Sequence, residues 1–207
     1  MNTRPLGKTG FSIAPLVFGG NVFGWTCDEK TSFAILDAFV DHGFDAIDTA
    51  DVYSRWADGN QGGESETLIG RWLQARPGMR DKVKIFTKVG SDLGLPGQKG
   101  LKKAWIQQAV ENSLRRLNTD YIDLYFAHWP DPETPIAETL SAFHALQQAG
   151  KFARRGLLTW MPSSFPRRWK WRGKRGCRPG RCCNRNTTSI TAPLLRGRCA
   201  TCASAGK

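Results

Sequence analysis

Between Leu16 and Ala149 short apolar runs alternate with longer segments of helical period, four times in strict order. This alternation restricts the fold more than any other feature. A strand, a helix and a second strand close most readily as a crossover that lays the strands parallel. Leu16–Gly20, Phe44–Asp48, Val83–Val89 and Tyr121–Ala127 read as the strands. Ser32–His42, Glu64–Ala75, Leu101–Leu117 and Pro135–Ala149 read as the helices. Phe33, Leu36, Phe39 and Val40 recur at helical spacing in the first helix, and Gly43 follows as a C-terminal cap. Leu68, Ile69 and Trp72 form one face of the second, and Trp105, Ile106, Ala109, Val110 and Leu114 that of the third. Pro135 suits the first turn of the fourth helix. The opening residues, with Gly7 and Gly10, suggest a small hairpin ahead of the series.

Four such repeats predict parallel α/β architecture. The pattern alone leaves both a doubly wound sheet and a (β/α)8 barrel open. A phosphate-binding Gly-x-Gly-x-x-Gly would favour the doubly wound sheet, but Gly19-Gly20 leads into Asn21-Val-Phe-Gly-Trp25 instead. Polar residues decide for the barrel. Asp48, Lys88 and His128 fall at or just past the C-terminal ends of successive strands, the rim where barrel enzymes place their chemistry.

Tyr53 follows Asp48 in the loop Asp48-Thr-Ala-Asp-Val-Tyr53, so an acid, a phenol, an amine and an imidazole could share one pocket. A tyrosine can serve as general acid if a neighbouring ammonium, here Lys88, lowers its pKa. Asp48 would hold Lys88 in place, and His128 would orient a carbonyl oxygen toward the phenol. Proton delivery of this kind suits hydride transfer from a nicotinamide. Taken singly, each residue has a structural reading: a loop cap for Asp48, a surface aromatic for Tyr53, a solvated strand end for Lys88, a loop hydrogen bond for His128. Their joint placement favours the functional one. His42 and His144 fall on helices and read as structural, and Glu64 and Glu66 read as first-turn carboxylates favoured by the helix dipole.

These segments resemble the N-terminal half of an aldo/keto reductase. The resemblance is carried by Arg4-Pro-Leu-Gly-Lys-Thr-Gly10, Gly43-Phe-Asp-Ala-Ile-Asp-Thr-Ala-Asp-Val-Tyr53, Gly63-Glu-Ser-Glu-Thr-Leu-Ile-Gly70, Ile85-Phe-Thr-Lys-Val-Gly90 and Ser113 through Asp131, in order over residues 1–150. It implies a (β/α)8 barrel, NADPH-dependent reduction of aldehydes or ketones, and a tetrad of Asp48, Tyr53, Lys88 and His128. It further implies that Gly20, Asn21 and Asp48 approach the cofactor, and that Trp25, Tyr53, His128 and Trp129 face a small carbonyl substrate. No metal is implied.

Composition enters where the resemblance stops. Residues 1–150 hold 15 Lys and Arg and all 18 Asp and Glu, a net of −3. Residues 151–207 hold the other 15 basic residues and no acidic one, a net of +15, together with five of the six cysteines. The family continues with Gly-Lys-(Val/Ile)-Arg-Ala-x-Gly-x-Ser-Asn, whereas Gly150-Lys151 runs into Phe-Ala-Arg-Arg-Gly-Leu-Leu-Thr-Trp-Met. An acid-free stretch with Trp160, Trp169 and Trp171 suggests a gene read out of frame. With each codon read one base earlier, residues 151–162 permit Lys-Ile-Arg-Ala-x-Gly-x-Ser-Asn-Leu-Asp-Ala, and 169–176 permit Leu-Glu-Val-Ala-Arg-Glu-Ala-Gly. One lost base near codon 151 serves throughout. About four of eight strand–helix units are then expected, followed by an irregular basic tail and little or no reductase activity.

Two other readings of the tail stand beside this one. Arg167-Arg-Trp-Lys-Trp-Arg-Gly-Lys-Arg175 interleaves cations with aromatics and could bind polyanions nonspecifically or act as a nucleic-acid arm. Cys199-Ala-Thr-Cys202 is a single Cys-x-x-Cys pair with no histidine in the tail, a weak zinc signal. With no secretory leader and no apolar run of spanning length, the expected location is cytoplasmic, away from the membrane.

Overall fold

In a computed structural model of the chain, residues 2–157 are described. The basic run at 167–175, the five tail cysteines and the shifted-frame segments from 158 onward lie outside them. A hairpin of β1 (Arg4–Pro5) and β2 (Ser12–Ile13) opens the chain, antiparallel with Arg4 opposite Ile13. Next come β3 (Val17–Gly19), α1 (Glu29–Asp41), β4 (Ala46–Asp48), α2 (Glu64–Ala75), β5 (Lys84–Val89), α3 (Lys103–Leu117), β6 (Ile122–Ala127) and α4 (Ile136–Gln148). A further strand, β7 (Phe152–Leu157), completes the series.

Local chemistry sets the helix ends. Asp28 caps α1, its carboxylate accepting from the Thr31 N–H at 2.8 Å. Gly43, at a φ of +82°, turns the chain out of α1 toward β4. Gly70 lets α2 lie against α3, since a Cβ there would sit 2.0 Å from the Arg116 carbonyl oxygen. Several expected boundaries shift: α1 begins at Glu29 rather than Ser32, and β4 at Ala46 rather than Phe44. The helix expected from Leu101 begins at Lys103, while Leu101 itself packs into the core from the preceding loop. Pro135 occupies the cap position of α4 rather than its first turn.

The sheet runs β3-β4-β5-β6-β7, every neighbouring pair parallel. Each helix packs on the next, α1 on α2, α2 on α3 and α3 on α4. One helix layer beside strands in sequential order is the winding of a barrel, because a doubly wound sheet divides its helices between two faces. Ile85 and Val89 of β5, with Tyr125 and Ala127 of β6, enter a single core with Trp72, Ile106, Leu117 and Phe143 from the helices. By strand alternation Phe86, Lys88 and Phe126 lie on the opposite face. Lys88 pairs in register with Phe126, and Asp48 with Phe86.

The sheet extends one strand beyond the four expected. Phe152, 1% exposed, supplies a large core side chain to β7, and the adjacent arginines Arg154 and Arg155 come two residues later. Register with β6 imposes the strand: Ile122 lies opposite Phe152 and Phe126 opposite Gly156. A Cβ at Gly156 would come 2.2 Å from the Phe126 ring, so the close approach of β7 needs glycine there. Midway along, β7 is tied to the hairpin. The Arg154 guanidinium donates to the Thr9 carbonyl and lies 5.7 Å from the centre of the Phe11 ring.

Candidate active site

Asp48 is the last residue of β4, Lys88 the penultimate residue of β5, and His128 the first residue after β6. Because the three strands are adjacent and parallel, their ends converge. Lys88 Nζ uses all three of its N–H donors: on Asp48 Oδ2 at 2.7 Å, on the Thr49 carbonyl at 2.6 Å and on Tyr53 Oη at 2.8 Å. The ammonium also lies 4.4 Å from the centre of the Tyr53 ring. Tyr53 donates in turn to Asp48 Oδ2 at 3.2 Å. The His128 ring stands 6.1 Å from the Tyr53 ring at an interplanar angle of 71°.

Tyr53 reaches this position through a sharp turn. Ser54 adopts a φ of +70°, rare for a residue with a side chain, and its hydroxyl donates to the Phe23 carbonyl at 2.5 Å. Asn60 Nδ2 donates to the carbonyls of Gly24 and Ser54, each at 2.8 Å, so the loops after β3 and β4 are stitched together behind the phenol. Gly20 belongs to the same seam. Its N–H donates to the Asp48 carbonyl at 2.8 Å, its carbonyl accepts from Ser65 Oγ at 2.7 Å, and a Cβ would sit 3.0 Å from that hydroxyl.

The electrostatics correct one expectation. The Tyr53 phenol is held above its ordinary pKa, not below it, by burial first and the Asp48 carboxylate second. Lys88 is paired with Asp48, so the phenol faces a neutralised pair rather than a bare cation. Burial also raises the Asp48 carboxyl against the opposing pull of Lys88, and lowers the Lys88 ammonium against that of Asp48. His128 is lowered to about 4 by burial and by the charge of Lys88, so its ring is neutral at physiological pH. Asp48 Oδ1 is buried and has no hydrogen-bond partner among the described residues.

Trp25 and Trp129 both stand at the rim, about half exposed at 52% and 51%. The Trp129 ring stacks on His128 at 5.4 Å. Trp25 reaches the phenol only through Trp56, which meets Trp25 edge-on at 5.7 Å and Tyr53 at 6.2 Å. Asn21 is exposed. Three contributors escape sequence reasoning. Trp56 lies in a loop without periodic signal. Ser91, just past β5, joins His128 to Trp129: its Oγ is 3.0 Å from His128 Nδ1 and accepts from Trp129 Nε1 at 3.1 Å. Its signal is a hydroxyl at the same strand-end level as the histidine. Glu66, expected as a first-turn carboxylate, is also fully buried beneath the site, where it pairs with Arg116 at 2.7 Å and accepts from Thr87. The dipole accounts for its place on α2 and the neighbouring helix for its burial.

Comparison with known proteins fixes the family. The sequence model described as the aldo/keto reductase family matches residues 15–163. The chain is 66% identical over 93 residues to an uncharacterized 11.2 kDa protein from the crtE 3′ region of Pseudescherichia vulneris, covering 45% of this chain and 90% of that protein. It is 41% identical over 140 residues to aldo-keto reductase YhdN of Bacillus subtilis (strain 168), covering 67% of this chain and 40% of that one. Among solved structures, aldo-keto reductase AKR11C1 from Bacillus halodurans in its holo form superposes with a TM-score of 0.66 at 36% identity, covering 78% of this chain and 51% of that one. The chain thus spans about half the length of the aldo-keto reductases it matches. The strand-end site, the parallel five-stranded sheet and these matches agree, and the chain belongs to the aldo/keto reductase family.

Proposed function

We propose that the site at the ends of β4, β5 and β6 is built for NADPH-dependent reduction of a small aldehyde or ketone. The observation that carries this reading is the triple engagement of Lys88 Nζ, which ties a half-buried phenol to a carboxylate at the rim of a parallel sheet. Tyr53 is the proton donor. Its raised pKa keeps the proton in place until the carbonyl oxygen gains alkoxide character, and the phenolate left behind then faces the Lys88 ammonium. His128, neutral, donates a hydrogen bond to the same oxygen and orients it. Trp25 and Trp129 bound the space in front of the phenol, and Gly20, Asn21 and Asp48 border the cofactor. The buried, unpartnered Oδ1 of Asp48 fits a ribose hydroxyl, which would complete its hydrogen bonding. A reduced nicotinamide bound there supplies the hydride.

We also infer that the 207-residue chain alone turns over slowly or not at all, because a basic sequence stands where the family places its later cofactor contacts. A single lost base near codon 151 accounts for that sequence, and the cytoplasm is the expected setting. The test is to sequence the gene, restore the frame, and follow NADPH oxidation with a reactive aldehyde. The frame-restored enzyme should reduce the aldehyde and the 207-residue chain should lag far behind it. Equal rates would remove the inference of impairment. A restored enzyme whose rate ignores Tyr53→Phe would remove the reductase reading.

A further inference from the structure

The loops after β5 and β6 are joined by a backbone bond from His128 N–H to the Val89 carbonyl at 2.8 Å. Gly90, at a φ of +116°, then turns the chain sharply, and Ser91 follows it beside His128. Ser91 is 6% exposed, so its hydroxyl has little access to water. A hydroxyl offers one hydrogen and two lone pairs. Trp129 Nε1 can only donate, so it occupies one lone pair of Ser91 Oγ. The hydroxyl hydrogen still needs an acceptor, and among the described residues the one within reach is His128 Nδ1 at 3.0 Å.

We propose that Ser91 is a positioning residue of the carbonyl site, accepting from the Trp129 indole and donating to His128 Nδ1, so that the histidine is held neutral with its hydrogen on Nε2. Nε2 makes no hydrogen bond among the described residues, which leaves it as the donor available to a substrate oxygen. The relay also fixes the ring plane, since the imidazole is stacked on Trp129 at 15° and anchored at Nδ1. It links an exposed rim aromatic to a proton position inside the site. The inference rests on the reductase reading for its purpose, though not for its test.

The alternative arrangement has the opposite sign. If Nδ1–H donated to Ser91 Oγ, the serine would favour the imidazolium, and removing it would lower the His128 pKa. In the arrangement proposed here Ser91 favours the neutral ring, and removing it raises the pKa. Lys88 from β5 is the charged group acting on the ring, and Tyr53 from the loop after β4 and Trp129 from its own loop are its other neighbours. All three remain in a Ser91→Ala variant. Loss of a polar neighbour by itself would lower a histidine pKa, and better hydration of the ring would raise it without fixing the tautomer, so the rise counts only together with a wild-type ring protonated on Nε2.

The experiment is nitrogen-15 NMR of the full 207-residue chain, following its three histidines across pH, with His128 assigned by a His128→Gln variant. The wild type should show a neutral His128 protonated on Nε2 with a hydrogen-bonded Nδ1. Ser91→Ala should raise its pKa by about one pH unit, a tenfold change in proton affinity, and Ser91→Thr should restore it. A wild type protonated on Nδ1, or a fall or no change in Ser91→Ala, overturns the proposal. If Ser91→Ala does not fold, the wild-type tautomer and the Ser91→Thr pKa decide it. A relay demonstrated in a protein whose frame-restored form reduces no carbonyl would leave Ser91 in this role and remove the reductase reading. Carbonyl reduction without the relay would do the reverse.

Discussion

An aspartate–lysine pair stands at each end of the β4–β5 pairing, Asp45 just before β4 and Asp48 at its close, and the two pairs are built differently. At the N-terminal ends Lys84 Nζ meets Asp45 Oδ2 at 2.6 Å, and the other Asp45 oxygen accepts from the Ala14 N–H at 3.0 Å. At the C-terminal ends Lys88 Nζ meets Asp48 Oδ2 at 2.7 Å, and the other Asp48 oxygen has no partner among the described residues. The lower pair is partly wet, its side chains 26% and 20% exposed, against 3% and 14% for Lys88 and Asp48. The lower pair is closed, with every strong acceptor engaged, and it joins strands. The upper pair is buried at a cost, keeps one acceptor free and holds a phenol against the lysine. The same two residue types over the same two strands thus give a fastening at one end and a reactive site at the other.

The sharpest way to break this comparison is Tyr53→Phe. In the frame-restored enzyme it should lower kcat by about 10²–10⁴-fold, the usual share of a general acid, against a stability cost of about 1–2 kcal/mol from the lost hydrogen bonds to Lys88 and Asp48. Next comes the stability contrast between the two lysines. Lys88→Met strands a buried carboxylate and should cost about 3 kcal/mol, whereas Lys84→Met should cost about 1 kcal/mol or less. Urea unfolding of both variants measures the difference, and equal costs would dissolve the distinction.

A smaller effect follows from His128. Its folded pKa of about 4 lies below its ordinary 6.5, so between these values the unfolded chain binds a proton that the folded chain refuses. Its contribution is complete above 6.5 and is lost as pH falls through the folded value. Stability should drop by about 2 kcal/mol from pH 7 to pH 5 on its account, and His128→Gln should remove that slope. Asp48 acts with the opposite sign, since a carboxyl raised by burial gains stability as it protonates, so urea curves of the two proteins must be compared at each pH. An effect of the same small size as that of Lys84→Met is expected for Asp45→Asn, about 1 kcal/mol, as the Lys84 pair and the Ala14 contact both weaken.

Much of this could be read from the chain before its fold was seen. The helix over Glu64–Ala75 is placed to the residue because Leu68, Ile69 and Trp72 mark its face and glycines precede it. Asp48, Lys88 and His128 stand out because each is polar where an apolar strand stops. The strand of Phe152–Leu157 was not legible, since its arginines erase the alternation and pairing with β6 supplies what local preference does not. Ser91 and Glu66 were missed for a related reason. A hydroxyl after a glycine and a glutamate in a first turn are ordinary in sequence, and partners 37 and 50 residues away give them their roles.

The Arg154–Thr9 contact has a kinetic consequence. It joins groups 145 positions apart in the chain, while the strand–helix–strand units between them close over far shorter spans. Loop-closure entropy rises with the length enclosed, so hairpin docking belongs to the last stage of folding and the adjacent strand pairs to the earlier ones. Amide exchange should record the same order in reverse. Protection at Thr9 and Phe11 would be lost by a local opening well before that of Ile85 or Tyr125.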